Sequence, residues 1–239
     1  MTSVKITLKD IIRYTFSNYK TVLLIATLML VISALGYISE NRSDIISPIA
    51  AILLDILIFI EVGYGAEIIR TSYLGHDTPP KLTNIWELIK EGFKRTLIYL
   101  AYGLISILLF RIETYFPFYS IEAAVCDFLI IVVNVLLSLG MINKFIHNNE
   151  FKKAFNLKEM LMLFKQYKLK KLIYVIISIL ISQSFVISCI VDIHPGLTII
   201  DVILAILTFF LAPLTLISTK RLIGLTFKEI IPKNWKEKT

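Results

Sequence analysis

Three aspartates stand in otherwise apolar stretches, and their carboxylates are the side chains best placed to do chemistry. Asp55, Asp127 and Asp201 occur in AILLDILIFI, AAVCDFLIIV and LTIIDVILAI. A charge at the centre of a membrane helix costs about 2.5–3.5 kcal/mol on insertion scales, so such residues usually have a partner or a purpose. Glu61 and Asn134 add polar groups to the same stretches. These five residues form a candidate proton or cation site.

An ordinary explanation competes for each aspartate taken alone. An acid one or two turns into a helix is favoured by the helix dipole and reaches the aqueous surface, and Asp201 fits this best. Recurrence favours a shared site, because each acid follows a proline, at Pro48, Pro117 and Pro195. We therefore predict that the three carboxylates approach one another around a pseudo-threefold axis in the outer half of a helical bundle.

Motifs for covalent, metal or cofactor chemistry are missing from the sequence. His76, His147 and His194 are isolated, and no Gly-rich phosphate loop, G-x-S-x-G or H-E-x-x-H motif occurs. Cys126 and Cys189 lack a metal or redox spacing; we interpret both as small buried residues and leave a disulfide between them open. We expect a protein that is not an enzyme and that uses no cofactor.

The elements that must position these residues are membrane helices. The chain of 239 residues is 56% hydrophobic and 18% charged, with a mean hydropathy of +0.76. Charged residues make up about 25% of a soluble domain. Six apolar runs are long enough, or nearly so, to cross a bilayer, and one small soluble core could not bury them all. The runs are 21–38, 45–66, 96–110, 121–142, 172–191 and 197–219.

Basic residues are concentrated on one side of this predicted topology. Lys and Arg number four before the first run, five between the second and third, eight between the fourth and fifth, and six at the C-terminal end. That places 23 of the 25 on one side, with Arg42 and Arg111 opposite. The positive-inside rule then predicts a multi-pass cell-membrane protein with both termini cytoplasmic. The net charge of +7 fits a rim that meets anionic lipid headgroups, so we expect no nucleic-acid partner.

Three connectors share a pattern that predicts short amphipathic helices in the headgroup layer. Each has a Thr or Asn three residues ahead of an acid, which resembles a capping box. The pairs are Thr7 with Asp10, Asn84 with Glu87, and Asn156 with Glu159. Apolar residues follow at helical spacing, with Lys and Arg on the other face. We predict an all-α fold of six spans and three interfacial helices in one domain, 1–239, with candidate repeats at 7–77, 84–153 and 156–230.

The segment GYGAEIIRTSYLGHDTPPKLTNIWELIKEGFK, residues 63–94, resembles the signature of domain-of-unknown-function family 4013. YTFSNYK near the start and AFNLKEML from residue 154 are similar to further family elements. The resemblance implies a polytopic membrane protein of a kind common in methanogenic archaea, and it supplies no known active site. The positions that match the signature are Gly63, Tyr64, Arg70, Gly75, Asp77, Pro80, Trp86 and Gly92.

These signature residues also have a physical interpretation as a structural elbow. Gly75 followed by Asp77-Thr-Pro-Pro cannot continue a helix, so the chain must turn there. Trp86 suits the membrane interface. We interpret the signature first as a rigid turn and second as a binding surface.

Three classes of function follow. The first is a non-catalytic membrane scaffold or partner subunit whose basic cytoplasmic rim meets anionic lipid headgroups and a protein partner. The alternative is a small transporter or channel that uses the intramembrane aspartates for a proton or a cation. A membrane-embedded enzyme ranks last.

Overall fold

The computed structural model describes residues 8–41, 44–117, 120–166 and 199–230. Within these ranges every regular element is a helix. The helices are α1 (Leu8–Phe16), α2 (Tyr19–Asn41), α3 (Ile46–Leu74), α4 (Ile85–Glu113), α5 (Ile121–Ile146), a 3₁₀ helix (Phe151–Phe155), α6 (Leu157–Gln166) and α7 (Ile199–Ile230).

Five stretches of helix are long and apolar enough to cross a membrane. Only 11% to 50% of the most apolar window of each is buried inside the protein, so large side chains such as Leu108 and Phe128 point outward. Lipid is the solvent that such surfaces need, and the all-α, multi-pass membrane class is confirmed. The predicted span 172–191 lies outside the described residues, so the total of six stays a prediction. The five stretches are Tyr19–Asn41, Ile46–Leu74, Ile85–Glu113, Ile121–Ile146 and Phe210–Lys228.

The second connector differs from its prediction. A separate interfacial helix over 84–95 was expected ahead of a span at 96–110, but α4 runs without a break from Ile85 to Glu113. Lys94, Arg95 and Thr96 include no glycine or proline to end the helix, and continuing a helix costs less than nucleating a second one. The expectation of a separate short helix was therefore wrong for this connector.

The other two amphipathic segments do form short helices. Helix α1 is separated from α2 by a turn at residues 17–18, where the Asn18 side chain accepts a hydrogen bond from the N–H of Thr21 at 3.3 Å. Helix α1 buries Ile11, Tyr14 and Thr15, at the i, i+3, i+4 spacing of one helical face. Helix α6 follows the 3₁₀ helix and spans 10 residues.

Helix α3 ends in a left-handed turn, as the glycine in the sequence predicts. Gly75 has a φ of 91° and donates its N–H to the carbonyl of Ser72, while the N–H of His76 reaches the carbonyl of Thr71 at 2.9 Å. This pair of bonds is the Schellman arrangement that satisfies the last carbonyls of a helix. The helix extends eight residues beyond the predicted end at residue 66, to Leu74.

Two glycines allow α3 and the start of α4 to pack backbone against backbone. Gly63 on α3 faces the main chain of Leu88, and Gly92 on α4 faces the main chain of Phe59. The two contacts are reciprocal and one helical turn apart on each helix. Phe59 and Phe93 close the same interface with an edge-to-face ring contact, centroids 5.4 Å apart.

The chain divides into two compact units, and α4 contributes to both. The first contains the described residues of 1–93 and 178–229, and the second contains those of 94–177. Helices α2 and α3 pack together in the first unit. In the second, α5 packs on the 3₁₀ helix and on α6. The buried cluster of the first unit is Tyr14, Ile25, Ile60, Tyr64, Ile68, Leu88, Leu216 and Ile217.

Candidate functional site

A polar pocket of about 300 Å³ lies among α1, the turn after α3 and the end of α7, all within the first unit. We name it the α1–α7 pocket. Three of its lining residues are cationic and two are acidic. The lining residues are Asp10, Arg13, Tyr14, Gly75, Asp77, Arg221, Leu225 and Lys228.

Arg221 is the buried side chain that joins the walls of the pocket. Its Nη1 donates to the carbonyl of His76 at 2.6 Å, and its guanidinium carbon lies 4.1 Å from the centroid of the Tyr14 ring. The planar guanidinium suits both contacts, because it donates along its edge and stacks through its face. Arg221 therefore fastens the turn after α3 to α1.

The guanidinium still has donor capacity. Its Nη2 lies 4.0 Å from Oδ1 of Asp77, which is too long for a hydrogen bond, and the Asp77 side chain is 99% exposed. The Nε atom is buried, with no hydrogen-bond partner among the described residues. The buried Nε costs free energy without a partner, and Nη2 is the guanidinium atom left for a further acceptor.

Local chain geometry creates this arrangement. The left-handed Gly75 turns the chain so that the carbonyl of the next residue, His76, reaches Arg221. A side chain on Gly75 would also meet Nζ of Lys228, 2.7 Å from the position of its Cβ. The ring of Tyr14 is buried, and its hydroxyl lies 3.5 Å from the hydroxyl of Thr71 on α3.

A second polar feature lies between α3 and α7. Glu61, one of the predicted site residues, is only 8% exposed, and the Lys220 ammonium interacts with it electrostatically. The Lys220 stem fits over Gly65, where a Cβ would lie 3.2 Å from its Cε. An acid and a base that face each other inside a membrane helix pair offset part of the cost of burying either charge.

The structure describes the surroundings of two of the three predicted aspartates. Asp55 on α3 is exposed, unlike Glu61 on the same helix, and Asp127 on α5 is exposed as well. Asp201 lies in α7, but its side chain is outside the described residues. The amide of Asn134 donates to the carbonyl of Ile130, one turn back, at 2.9 Å. Asp55 and Asp127 belong to different units, so the shared carboxylate site stays a prediction.

The remaining signature residues lie around the turn between α3 and α4. Tyr64 is fully buried, and its hydroxyl donates to the carbonyl of Pro80 at 3.0 Å, which ties the turn to α3. Nη1 of Arg70 lies 3.6 Å from Oε2 of Glu67 on the same helix. Trp86 is 66% exposed at the start of α4 and carries the Lys90 ammonium over its ring.

In the second unit, Glu159 is the centre of a polar cluster. Lys153 Nζ lies 2.7 Å from one carboxylate oxygen, and Asn143 donates to the other at 3.1 Å. Nε2 of His147 lies 3.7 Å from Oε2 of Glu159, the oxygen that Asn143 binds. The hydrogen bond from Lys153 first, then that from Asn143 and the nearby charges, hold the pKa of Glu159 below its ordinary value, although burial opposes them. The same Asn143 amide donates to the Lys153 carbonyl at 2.8 Å, which binds this connector to α5.

The predicted capping boxes have different outcomes. At the start of α6 the Asn156 side chain accepts the N–H of Glu159 at 3.2 Å, so this N-cap is confirmed. The returning half of the box was wrong, because the Asn156 N–H bonds the Lys153 carbonyl and the Glu159 carboxylate binds Lys153 and Asn143. Asn84 has a left-handed φ of 55°, and Glu87 pairs forward with Lys90 at 3.0 Å, so the reciprocal box was wrong there. The cap at Thr7 lies outside the described residues.

Sequence reasoning missed two basic residues of these sites, Lys220 and Arg221. Both were counted with the C-terminal charges, whereas α7 continues to Ile230 and places them against α3 and α1. A basic pair inside an apolar helical pattern, in ISTKRLIG, was the available signal. Among the described residues, no group of three His, Cys, Asp or Glu side chains could hold a metal ion.

Comparison with known proteins gives one match. The family model described as "Protein of unknown function (DUF4013)" matches residues 46–196, from the start of α3 to beyond α6. No curated protein and no solved structure matches the chain. The matched region is more than half of the sequence and contains the whole turn between α3 and α4. The chain therefore belongs to the DUF4013 family.

Proposed function

We propose that this protein is a non-catalytic membrane scaffold or partner subunit that presents a fixed, basic surface to anionic lipid headgroups and to a protein partner. The observation that carries the proposal is the way its connectors are held. Tyr64 and Arg221 bind carbonyls of the turn after α3, and Asn143 binds a carbonyl of the connector after α5. Connectors held by buried side chains suit a surface that another molecule recognises, because little ordering remains to be done on binding.

The charge distribution favours one side of the membrane as the location of this surface. The predicted six-span topology puts 23 of 25 Lys and Arg on the side of both termini, or 21 without Lys220 and Arg221, so we place that side in the cytoplasm and the protein in the cell membrane. Anionic lipid attracts basic residues near its surface by about 1 kcal/mol each. The basic rim is thus the face that lipid and partner share in this proposal.

The exposed apolar residues of α1 and α6 support an interfacial position for both helices. Ile12 and Phe16 are 48% and 59% exposed on α1, and Leu157 and Leu161 are 54% and 55% exposed on α6. Each helix also buries other apolar residues in the protein, so a second apolar surface is left for the lipid. For the whole chain we propose six spans arranged as three parallel repeats, each of which begins with a basic amphipathic segment.

Site-specific crosslinking tests the proposal. A photoreactive residue replaces Trp86, at the basic end of α4, or Leu108, a similarly exposed residue (66% and 63%) near the other end of the same helix. We expect position 86 to capture one discrete protein in intact cells and position 108 to capture lipid. Capture of lipid alone from both positions would contradict the partner-subunit proposal.

The interaction of buried Glu61 with half-buried Lys220 favours transport as a second candidate function. An intramembrane ionisable pair that breaks and re-forms can carry a proton. Proton flux into vesicles containing the purified protein distinguishes the two functions, with Glu61→Gln as the test and Glu67→Gln, on the same helix, as the control. The scaffold proposal predicts no flux above that of empty vesicles. Flux that Glu61→Gln abolishes and Glu67→Gln preserves would overturn it.

A further inference from the structure

The α1–α7 pocket lies beside the ends of membrane-length helices, where we expect lipid headgroups. Gly75 directly follows the last residue of α3, and Lys228 lies two residues before the end of α7 at Ile230. Helix α1, which supplies a third wall, ends just before the membrane helix α2 begins at Tyr19. Three helix ends therefore surround the cavity, and in a bilayer we expect such ends at the boundary between hydrocarbon and water.

The charge of the pocket matches one phosphodiester. Arg13, Arg221 and Lys228 supply three positive charges, and Asp10 and Asp77 supply two negative ones, which leaves one positive charge. A lipid phosphodiester carries one negative charge. A volume of about 300 Å³ is also at the lower end of the range typical for small-molecule pockets.

Arg221 is the side chain of this site that the fold holds in place. Its side chain is 7% exposed, its Nε has no hydrogen-bond partner among the described residues, and its Nη2 is beyond hydrogen-bond distance of Asp77. An arginine held by a carbonyl and an aromatic ring, with donors left over, is preorganised for an anion. The apolar side chain of Leu225 lines the same cavity, and a glycerol backbone could pack against it.

We infer that the α1–α7 pocket binds the phosphate of one anionic phospholipid, with Arg221 as its fixed donor and Arg13 and Lys228 as its mobile cations. This inference rests on the proposed lipid-facing role and makes it specific. General attraction of a basic rim needs no pocket, whereas a bound lipid would link α1 to the end of α7.

Native mass spectrometry of the purified full chain tests the inference, with phosphatidylglycerol as the probe and phosphatidylcholine as the reference lipid. The test variant combines Arg13→Gln and Lys228→Gln, two exposed residues that the core does not need. The control combines Arg70→Gln and Lys90→Gln, which removes the same charge from exposed positions outside the pocket. We expect the test variant to lose about fivefold in phosphatidylglycerol affinity for each charge, and the control to lose less than twofold. Equal thermal unfolding curves of the two variants show that both fold.

The other outcomes overturn distinct statements. Equal losses in both variants would overturn the pocket and leave the basic-rim proposal standing. No preference of the unmodified protein for phosphatidylglycerol over phosphatidylcholine would overturn both. Displacement of the lipid by inorganic phosphate at a comparable concentration would show that the site takes free phosphate and would overturn its assignment to a lipid.

Discussion

Replacing Gly63 with alanine should separate α3 from α4. A Cβ at this position would collide with the Leu88 carbonyl oxygen and would lie 2.7 Å from its carbonyl carbon and 2.9 Å from its Cα. Backbone atoms cannot swing aside as a flexible side chain can, so the two helices must move apart. Overpacking of this kind costs about 1–3 kcal/mol, from which the better helix propensity of alanine recovers about 1 kcal/mol. We expect Gly63→Ala to lower the free energy of unfolding by up to about 2 kcal/mol.

Gly92→Ala provides an internal check on this mechanism. Its Cβ would lie 2.6 Å from the Phe59 carbonyl carbon, across the same interface. Once one alanine has moved the helices apart, the second meets less resistance. The double variant should therefore cost less than the sum of the single variants.

Gly103→Ala is the matched control, because it lies on α4 with nothing within 4 Å of its Cβ position. Here only the propensity gain remains, so stability should be unchanged or rise by up to about 1 kcal/mol. Reversible unfolding by denaturant in mild detergent measures all four proteins. If Gly63→Ala is as stable as Gly103→Ala, close packing of α3 on α4 is not what these glycines provide.

Three further predictions concern the connectors. Tyr64→Phe removes the hydroxyl that binds the Pro80 carbonyl and should cost about 1 kcal/mol in the same unfolding assay; no change would mean that this bond contributes nothing to stability. The pKa of Glu159 is lower in the folded protein than its ordinary value of 4.5. Its carboxylate should therefore add to the free energy of unfolding above pH 4.5, and this contribution should fade as the pH falls through the folded-state pKa. Glu159→Gln should flatten that part of the stability–pH curve. An unchanged curve would refute Glu159 as the cause of the pH dependence. Single cysteines at Lys81 or Lys153 should react with an impermeant reagent only in inside-out vesicles. Labelling in intact cells would place these connectors outside and contradict the predicted topology.

Local chemistry in the sequence accounts for much of the fold. Apolar runs long enough, or nearly so, to cross a bilayer predict membrane helices because lipid leaves few other ways to satisfy the backbone. The turn after α3 was predictable too, since Gly75 accepts a left-handed backbone and two prolines follow shortly after. Helix ends were harder to place. Nothing in the sequence near Ala66 or Arg95 distinguishes a helix that stops from one that continues.

The candidate site depends on contacts that the sequence does not display. Arg221 and His76 are 145 positions apart, and only the packing of α7 brings them together. Glu61 could be singled out as a polar residue in an apolar run, but its partner Lys220 was assigned to a solvated tail. In both cases the missing information was where the last helix ends and which neighbour it packs against.

Hydrogen–deuterium exchange of the intact protein in lipid nanodiscs tests the central claim, that buried side chains hold the connectors in a fixed surface. We predict slow exchange for the N–H of His76 and for the amides of the 3₁₀ helix Phe151–Phe155, comparable with the neighbouring helix ends. Arg221→Lys should accelerate exchange in the first connector and leave the second unchanged. Exchange of both connectors at the rate of an open chain, beside protected membrane helices, would contradict a fixed basic surface.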